Sequence, residues 1–211
     1  MIEKILQSKL MPVAVIDDVA MAVPLAECLL ESGINTIEVT LRTETALESI
    51  RSIKKQYPEM LVGAGTVLDH QKIPELLDAG ISFAITPGLN IRVIESALKS
   101  NLLVMPGIMT PSEIELARSY ELGVLKFFPA EAAGGAATLK AFAGPYGHTG
   151  LKFIPTGGIN LSNMSDYLSL SCVAAVGGSW FVSPALLKDG DFRKIKMLSA
   201  EAFEKVKKLD E

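Results

Sequence analysis

The chain has 211 residues, of which 49% are hydrophobic and 21% charged, and its formal net charge is -4. This length and apolar content suit one well-buried domain and exclude a disordered or fibrous chain. The slight acidity, without any block of Lys and Arg, argues against nucleic acid as the main partner. No N-terminal signal pattern and no apolar run of membrane-span length occur, so we expect a soluble cytoplasmic protein with no membrane partner.

Short apolar runs alternate with longer amphipathic stretches along the whole chain. Eight runs are predicted to be β-strands: 12–17, 36–42, 61–67, 83–87, 103–108, 124–129, 152–157 and 173–178. An N-terminal helix is expected before the first strand, and further helices are predicted at 22–32, 44–56, 71–79, 92–100, 111–122, 136–142 and 191–209. Gly33, Gly80 and Gly123 each stand just before a strand, where a left-handed residue commonly closes a helix.

The strand-helix repeat predicts the fold class. Alternating strands and helices are joined by right-handed crossovers and form a parallel sheet. Eight such units in a chain of this length indicate an α/β fold, a small (β/α)8 TIM barrel. No linker or shift in composition marks a second domain, so we predict a single domain over residues 1–211.

Polar residues gather at the predicted ends of the strands, where active sites of this barrel lie. In the run 36–42, the period of two places Glu38, Thr40 and Arg42 on one face and apolar residues on the other. The apolar face suits the surrounding helices, so the polar face is predicted to point into the barrel. The alternative for this segment is a purely structural ion pair between Glu38 and Arg42.

Lys126 lies in the apolar run Leu125-Lys126-Phe127-Phe128-Pro129. Burial disfavours the charged form of an amine, and a partly neutral lysine can attack a carbonyl to form a Schiff base. The alternative is a lysine at a strand edge whose head group reaches solvent. By alternation Phe128 shares the face of Lys126 and is expected to line its pocket, while Phe127 packs outward.

Two glycine pairs follow the last two predicted strands, Gly157-Gly158 and Gly177-Gly178, the second being followed by Ser179. In this fold the loops after these strands frequently bind phosphate through backbone N–H groups. A single pair commonly marks only a tight turn. Two pairs at these positions favour a phosphate site, to which the Ser179 hydroxyl can add a donor.

The sequence predicts no metal site and no cofactor. The two histidines, His70 and His148, lie far apart and are expected to be solvated. Cys28 and Cys172 stand in apolar surroundings and are expected to be buried thiols rather than a disulfide.

Six motifs, in this order, resemble those of the 2-keto-3-deoxy-6-phosphogluconate (KDPG) and 4-hydroxy-2-oxoglutarate (KHG) aldolases. They are Glu38-Val39-Thr40-Leu41-Arg42, Gly63-Ala64-Gly65-Thr66-Val67, Thr86-Pro87-Gly88-Leu89, Lys126-Phe127-Phe128-Pro129-Ala130-Glu131, Pro155-Thr156-Gly157-Gly158-Ile159 and Gly177-Gly178-Ser179-Trp180. The resemblance covers nearly the whole chain. It implies a metal-independent class I aldolase, a lyase of the Entner-Doudoroff pathway and usually a homotrimer, that splits a 2-keto acid phosphate into pyruvate and glyceraldehyde 3-phosphate.

The resemblance also implies roles for individual residues. Lys126 corresponds to the Schiff-base lysine and Glu38 to the carboxylate that transfers protons. The expected pyruvate contacts are Arg42, Thr66, Pro87 and Phe128, and the expected phosphate contacts are Thr156, Gly157, Gly158, Gly178 and Ser179. Members of the family often have a polar residue at the position of Ala133, so this chain departs from the family pattern there.

Three alternatives remain open at this stage. A sister aldolase for the galactonate epimer would keep the same lysine, glutamate and phosphate site. A barrel isomerase or synthase would use the phosphate loops without covalent chemistry. A sugar-phosphate binding protein would bind without turnover.

Overall fold

The computed structural model describes residues 2–210, so the first and last residues of the predicted domain lie outside it. It contains the strands β1 Leu10–Ala14, β2 Thr36–Thr40, β3 Leu61–Gly65, β4 Phe83–Ile85, β5 Leu103–Met105, β6 Gly107–Ile108, β7 Val124–Phe127, β8 Lys152–Pro155 and β9 Val176–Gly178. Its α-helices are α1 Ile2–Ile5, α2 Ala22–Glu31, α3 Ala46–Gln56, α4 Ile73–Asp78, α5 Ile91–Lys99, α6 Pro111–Ser119, α7 Gly135–Tyr146, α8 Met164–Leu168, α9 Pro184–Lys188 and α10 Phe192–Asp210. The predicted N-terminal helix is therefore present as α1, and α8 and α9 were not predicted.

The strands form an α/β fold around a curled parallel sheet. Six strands pair in the order β5-β4-β3-β2-β1-β9 and make a half-barrel, and three more pair in the order β6-β7-β8. Every strand pair is parallel, as the alternation predicts. In the register of the central strands, Glu38 stands opposite both Val13 and Gly63.

The two sheets approach each other at both edges. Pro106 divides the predicted strand 103–108 into β5, which pairs with β4, and β6, which pairs with β7. The division follows from chemistry, since proline has no N–H to donate to a sheet ladder. At the other edge, isolated parallel bridges join Phe153 to Val173 and Thr156 to Gly177.

Several strands end earlier than predicted. Strand β3 ends at Gly65 because Thr66 has a φ of 57°, which no regular strand can contain. Strand β2 likewise ends at Thr40, and Leu41 donates one last hydrogen bond to the carbonyl of Gly65. Arg42 and Thr66 therefore lie in loops, where their side chains are not fixed by the ladder, while Glu38 and Thr40 remain within β2.

After α2, α4 and α6, the residue with a left-handed backbone lies two positions beyond the last residue of the helix. Gly33 and Gly80, with φ of 82° and 88°, each lie two residues beyond the last residue of α2 and α4, as predicted. The prediction for Gly123 is wrong. Helix α6 ends at Ser119, before the predicted 122, so the left-handed position falls on Glu121, whose φ is 58°.

The buried side chains form two apolar clusters. The larger one packs helices against the sheet and includes Ile37 and Val39, as their alternation predicts. The smaller one lies where one face of the strands meets α1, and its buried members are Ile5, Met11, Phe83, Ile85, Met105, Ile154 and Ala175. None of the helices within residues 2–210 combines the length and apolar character that crossing a bilayer requires.

Candidate active site

Lys126 and Glu38 meet although they come from different sheets. Lys126 is the third residue of β7, and Glu38 is the third residue of β2. The Nζ of Lys126 lies 3.2 Å from Oε1 of Glu38, and their side chains are only 7% and 1% exposed. An amine and a carboxylate at hydrogen-bonding distance can exchange a proton, and their burial keeps bulk water away from that exchange.

Aromatic side chains border this pair on the side predicted from the sequence. The Phe128 ring centroid lies 5.1 Å from Nζ of Lys126. Phe127 points the other way, into the larger apolar cluster, where its ring contacts that of Phe142 edge to face at 6.0 Å. Lys126 is thus held between an apolar wall and one carboxylate, and its head group does not reach bulk solvent.

Gly65 makes room for the Glu38 carboxylate, a feature that the sequence reading missed. A Cβ atom at Gly65 would overlap the carboxylate and Cγ of Glu38. Gly63, on the same strand, makes room for the ring of Phe83 in the same way. Gly65 therefore sets the space available to Glu38, and a glycine on the strand beside a buried acidic residue is the signal that could have indicated this.

Arg42 lies just beyond the end of β2 and is exposed. Its Nε donates a hydrogen bond to Oγ1 of Thr40 over 3.3 Å, and that hydroxyl donates to the carbonyl of Ala14. Within residues 2–210 the guanidinium makes no ion pair, and Glu38 pairs with Lys126. The structural Glu38–Arg42 pair considered from the sequence is therefore not formed, and the terminal nitrogens of Arg42 can bind an external carboxylate.

Thr66 has an unusual backbone for its residue type. Its φ of 57° is rare for a β-branched residue, and such outliers concentrate at functional sites. Thr66 is half-buried, and its hydroxyl has no hydrogen-bond partner in the part of the chain that the structure describes. Pro87, also half-buried, follows the neighbouring strand β4. Both residues stand at the strand ends, as the sequence predicts.

The structure brings the two glycine pairs together. The bridge between Thr156 and Gly177 places the loop after β8 beside β9. Gly157 and Gly158 have φ of 100° and 82°, values that residues with side chains rarely adopt. A Cβ at Gly178 would overlap the ring of Trp180, so glycine is also required there.

Backbone donors at these loops lack protein acceptors. Among residues 2–210, no hydrogen-bond acceptor is found for the N–H groups of Gly158, Ile159 and Ser179. Clustered N–H groups of this kind bind anions. Ser179 is exposed, so its hydroxyl is accessible to a ligand at the same place.

Two residues beside these loops were not identified as functional from the sequence. The buried Tyr167 of α8 donates a hydrogen bond from its hydroxyl to Oε1 of Glu131, which follows β7. Burial, and then this hydrogen bond, raise the pKa of Tyr167 well above its usual value. No sequence pattern joins positions so far apart, although Glu131 belongs to the motif that contains Lys126.

Other titratable groups fit structural roles. Cys28 and Cys172 are buried free thiols, as expected, and burial raises the pKa of each. Over residues 2–210, no three or more His, Cys, Asp or Glu side chains are grouped so that they could hold a metal ion.

Comparison with known proteins gives one consistent family. The family model "KDPG and KHG aldolase" matches residues 1–198. The KHG/KDPG aldolase of Escherichia coli K12 is 46% identical over 196 residues, which cover 93% of this chain and 91% of that protein.

Solved structures agree in both fold and sequence. The KDPG aldolase of Legionella pneumophila, with pyruvate captured as a covalent carbinolamine intermediate, superposes with a TM-score of 0.90 at 38% identity and covers 94% of this chain and 96% of its own. The aldolase of Zymomonas mobilis ZM4 with 3-phosphoglycerate gives a TM-score of 0.86 at 38% identity and 96% coverage of both chains. The chain therefore belongs to the family of KDPG and KHG aldolases, which are enzymes of the lyase class.

Proposed function

We propose that this chain is a class I aldolase that cleaves KDPG into pyruvate and glyceraldehyde 3-phosphate through a Schiff base on Lys126. The observation that carries the proposal is the buried contact of 3.2 Å between Lys126 on β7 and Glu38 on β2. No metal or organic cofactor takes part, because the protonated imine itself accepts the electrons of the broken bond.

The reaction begins when Glu38 holds the proton of the Lys126 ammonium and the neutral amine adds to the C2 carbonyl of the substrate. The product of this addition is a carbinolamine. Glu38 returns a proton to the C2 hydroxyl, which leaves as water, and a protonated imine remains on Lys126. The carbinolamine seen with pyruvate in the Legionella pneumophila enzyme is the same kind of intermediate.

Cleavage uses the same carboxylate a second time. Glu38 removes the proton of the C4 hydroxyl, the C3–C4 bond breaks, and its electron pair moves into the imine to form an enamine. Glyceraldehyde 3-phosphate leaves as the aldehyde. Protonation at C3 and addition of water to the imine then release pyruvate and restore the free amine.

The pyruvate end of the substrate is held by four residues. The guanidinium of Arg42 offers a planar fork for the carboxylate, and the Thr66 hydroxyl donates a further hydrogen bond. Pro87 and Phe128 supply apolar surface. This anchoring holds C2 within reach of the Lys126 amine, which is the positional part of the catalysis.

The phosphate end is held where the two glycine pairs meet. Thr156, Gly157, Gly158, Gly178 and Ser179 form this site, whose unpartnered N–H groups support the assignment. The ligand of the Zymomonas mobilis enzyme, 3-phosphoglycerate, is likewise a phosphorylated carboxylate. KHG, the unphosphorylated second substrate, would be cleaved to pyruvate and glyoxylate without this contribution.

The proposal includes a closed (β/α)8 barrel formed by one domain over residues 1–211. The sheets meet at Pro106 and at the bridges to Val173 and Gly177. The contact of Lys126 on one sheet with Glu38 on the other supports a shared interior.

We propose a homotrimer that acts in the cytoplasm, in the Entner-Doudoroff pathway. Leu68 and Met109, in the loops after β3 and β6, are 64% and 49% exposed, and a subunit contact that covered them would remove apolar surface from water. Light scattering after size exclusion tests this assembly, since a trimer has three times the mass of the chain. A monomeric mass would contradict it.

Release of pyruvate from KDPG tests the proposed activity. We expect the wild type to turn over, and Lys126→Ala and Lys126→Arg to show none, because neither side chain forms the imine. Lys140→Ala, an exposed change on α7, is the matched control and should keep full activity. Cleavage by Lys126→Ala near the wild-type rate would contradict the proposal.

A further inference from the structure

Glu131 contacts the turn formed by Gly157 and Gly158. Its N–H donates to the carbonyl of Gly157 over 3.1 Å. Its side chain packs closely against Gly158, where an added Cβ would lie 2.7 Å from Cβ of Glu131. The turn and the segment after β7 are therefore packed as one unit.

Tyr167 fixes the side chain of Glu131. It is 1% exposed, and its hydroxyl donates a hydrogen bond to Oε1 of Glu131. Because burial and this hydrogen bond raise the pKa of Tyr167, the hydroxyl remains a donor throughout the neutral pH range. Glu131 itself is exposed, so this hydrogen bond from a buried donor is the contact that restricts its carboxylate to one orientation.

The second carbonyl of the turn is held by two amides. Nδ2 of Asn163 donates to the Gly158 carbonyl over 3.0 Å, and Nδ2 of Asn160 donates to it over 3.3 Å. In a trans peptide the N–H points away from the carbonyl of the preceding residue. With both carbonyls occupied, the N–H groups of Gly158 and Ile159 are directed away from Glu131 and Asn163.

Charge alone does not explain the presence of Glu131 here. A carboxylate beside an anion site repels the anion, so its electrostatic effect on phosphate binding is unfavourable. What Glu131 contributes is its packing on Gly158 and its hydrogen bond with Tyr167. Both of these act on the shape of the turn.

We infer that Glu131 and Tyr167 are positioning residues that hold the Gly157-Gly158 turn in the conformation that binds the substrate phosphate. This inference rests on the proposed function, because it concerns the phosphate of the KDPG substrate. Neither residue takes part in the covalent steps at Lys126. Their loss should therefore weaken binding of phosphorylated ligands and leave reactions of unphosphorylated ligands unchanged.

Three variants separate this role from a general structural one. Tyr167→Phe and Glu131→Ala should raise the KM for KDPG about tenfold, as expected for one lost supporting hydrogen bond, with kcat within about twofold of wild type. Imine formation with pyruvate, which has no phosphate, should keep its concentration dependence. Glu131→Gln keeps the acceptor and the packing, so its KM should equal or fall below that of the wild type.

Tyr146→Phe is the matched control. Tyr146 is also a buried tyrosine that donates to a glutamate, Glu115, over 3.2 Å, but it lies on α7 away from the glycine loops. The KM of Tyr146→Phe for KDPG should equal that of the wild type. The inference would be overturned if Tyr167→Phe and Glu131→Ala left the KM for KDPG unchanged. It would also be overturned if they weakened the binding of pyruvate and of KDPG by the same factor.

Binding of inorganic phosphate, followed by calorimetry, makes the test independent of turnover. Weaker phosphate binding by Tyr167→Phe and Glu131→Ala than by wild type supports the inference even if no variant cleaves KDPG. Absence of cleavage by the wild type would instead count against the proposed function. Equal phosphate binding by the wild type and these variants would overturn this inference but not the proposed function.

Discussion

At the residue scale, the contact between Lys126 and Glu38 depends on a neighbour that contributes no functional group. Glu38 is placed against Lys126 because Gly65, on the adjacent strand, leaves space for its carboxylate. A buried charge pair is stable only with good geometry, so a small displacement has a large effect. Proton transfer is sensitive to the same displacement, because it needs the carboxylate within hydrogen-bonding distance of the reacting atoms.

Gly65→Ala is expected to reduce kcat/KM for KDPG by about 100-fold, the usual scale for a catalytic group displaced by about an ångström. The added methyl group overlaps the Glu38 carboxylate and forces it away from Lys126. Steady-state kinetics measure the effect. Gly123→Ala is the matched control, since a Cβ there meets no atom within 4 Å and the backbone is not left-handed. Wild-type kinetics for Gly65→Ala would show that Glu38 has more freedom than its packing indicates.

Arg42→Lys is expected to raise the KM for KDPG roughly tenfold, because a lysine cannot form the paired hydrogen bonds that a guanidinium gives to a carboxylate. The half-saturating concentration of pyruvate in imine formation should rise by a similar factor, since pyruvate carries the same carboxylate. Arg92→Lys, an exposed change on α5, is the control. If the KM for KDPG rose while the half-saturating concentration of pyruvate stayed unchanged, Arg42 would bind a different part of the substrate.

At the element scale, α6 is the helix with the most complete N-terminal cap. The Thr110 hydroxyl accepts from the Glu113 N–H, and the Glu113 carboxylate accepts from the N–H groups of Met109 and Thr110 over 2.8 Å each. Partial burial alone would raise the pKa of Glu113, but these bonds and one from the Thr110 hydroxyl hold that pKa below its usual value. The ionised carboxylate therefore stabilises the start of this helix.

Thr110→Ala is expected to lower the free energy of unfolding by about 1 kcal/mol near neutral pH. Since the pKa of Glu113 is depressed in the folded state, its contribution is present above the unfolded pKa and is lost as the pH falls through the folded pKa. The difference between variant and wild type should therefore stay constant from about pH 7 to about pH 5 and shrink only as the pH falls below about 4.3, the usual pKa of a glutamate. Urea unfolding measures it, with the exposed Ser112→Ala as control. A difference that does not depend on pH would exclude Glu113 as its source.

At the scale of the whole molecule, the sequence predicts what depends on periodicity and little that depends on contacts between distant segments. The alternation of apolar and polar residues places Glu38 and Lys126 on inward faces, and the structure brings them together across 88 residues of chain. Glu38 is the middle residue of β2, not its end as predicted. The break at Pro106 was foreseeable from its missing N–H. The left-handed Thr66 and the hydrogen bond from Tyr167 to Glu131 were not, because both are imposed by the surrounding structure.

The prediction of the candidate site rests on general rules of the barrel and on the sequence motifs. Strand-end positions and glycine pairs indicate where chemistry occurs, but packing decides which atoms are within reach. Gly65 illustrates the difference. In the sequence it is one glycine among 17, and in the structure it leaves the space that the Glu38 carboxylate occupies.

The central claim is that Lys126 forms the imine, and reductive trapping tests it most directly. The wild type is incubated with pyruvate and borohydride, digested, and analysed by mass spectrometry. We predict that the peptide containing Lys126 alone gains the mass of a reduced pyruvate imine, and that Lys126→Ala gains none. An adduct on another lysine, or no adduct on the active wild type, would contradict the account.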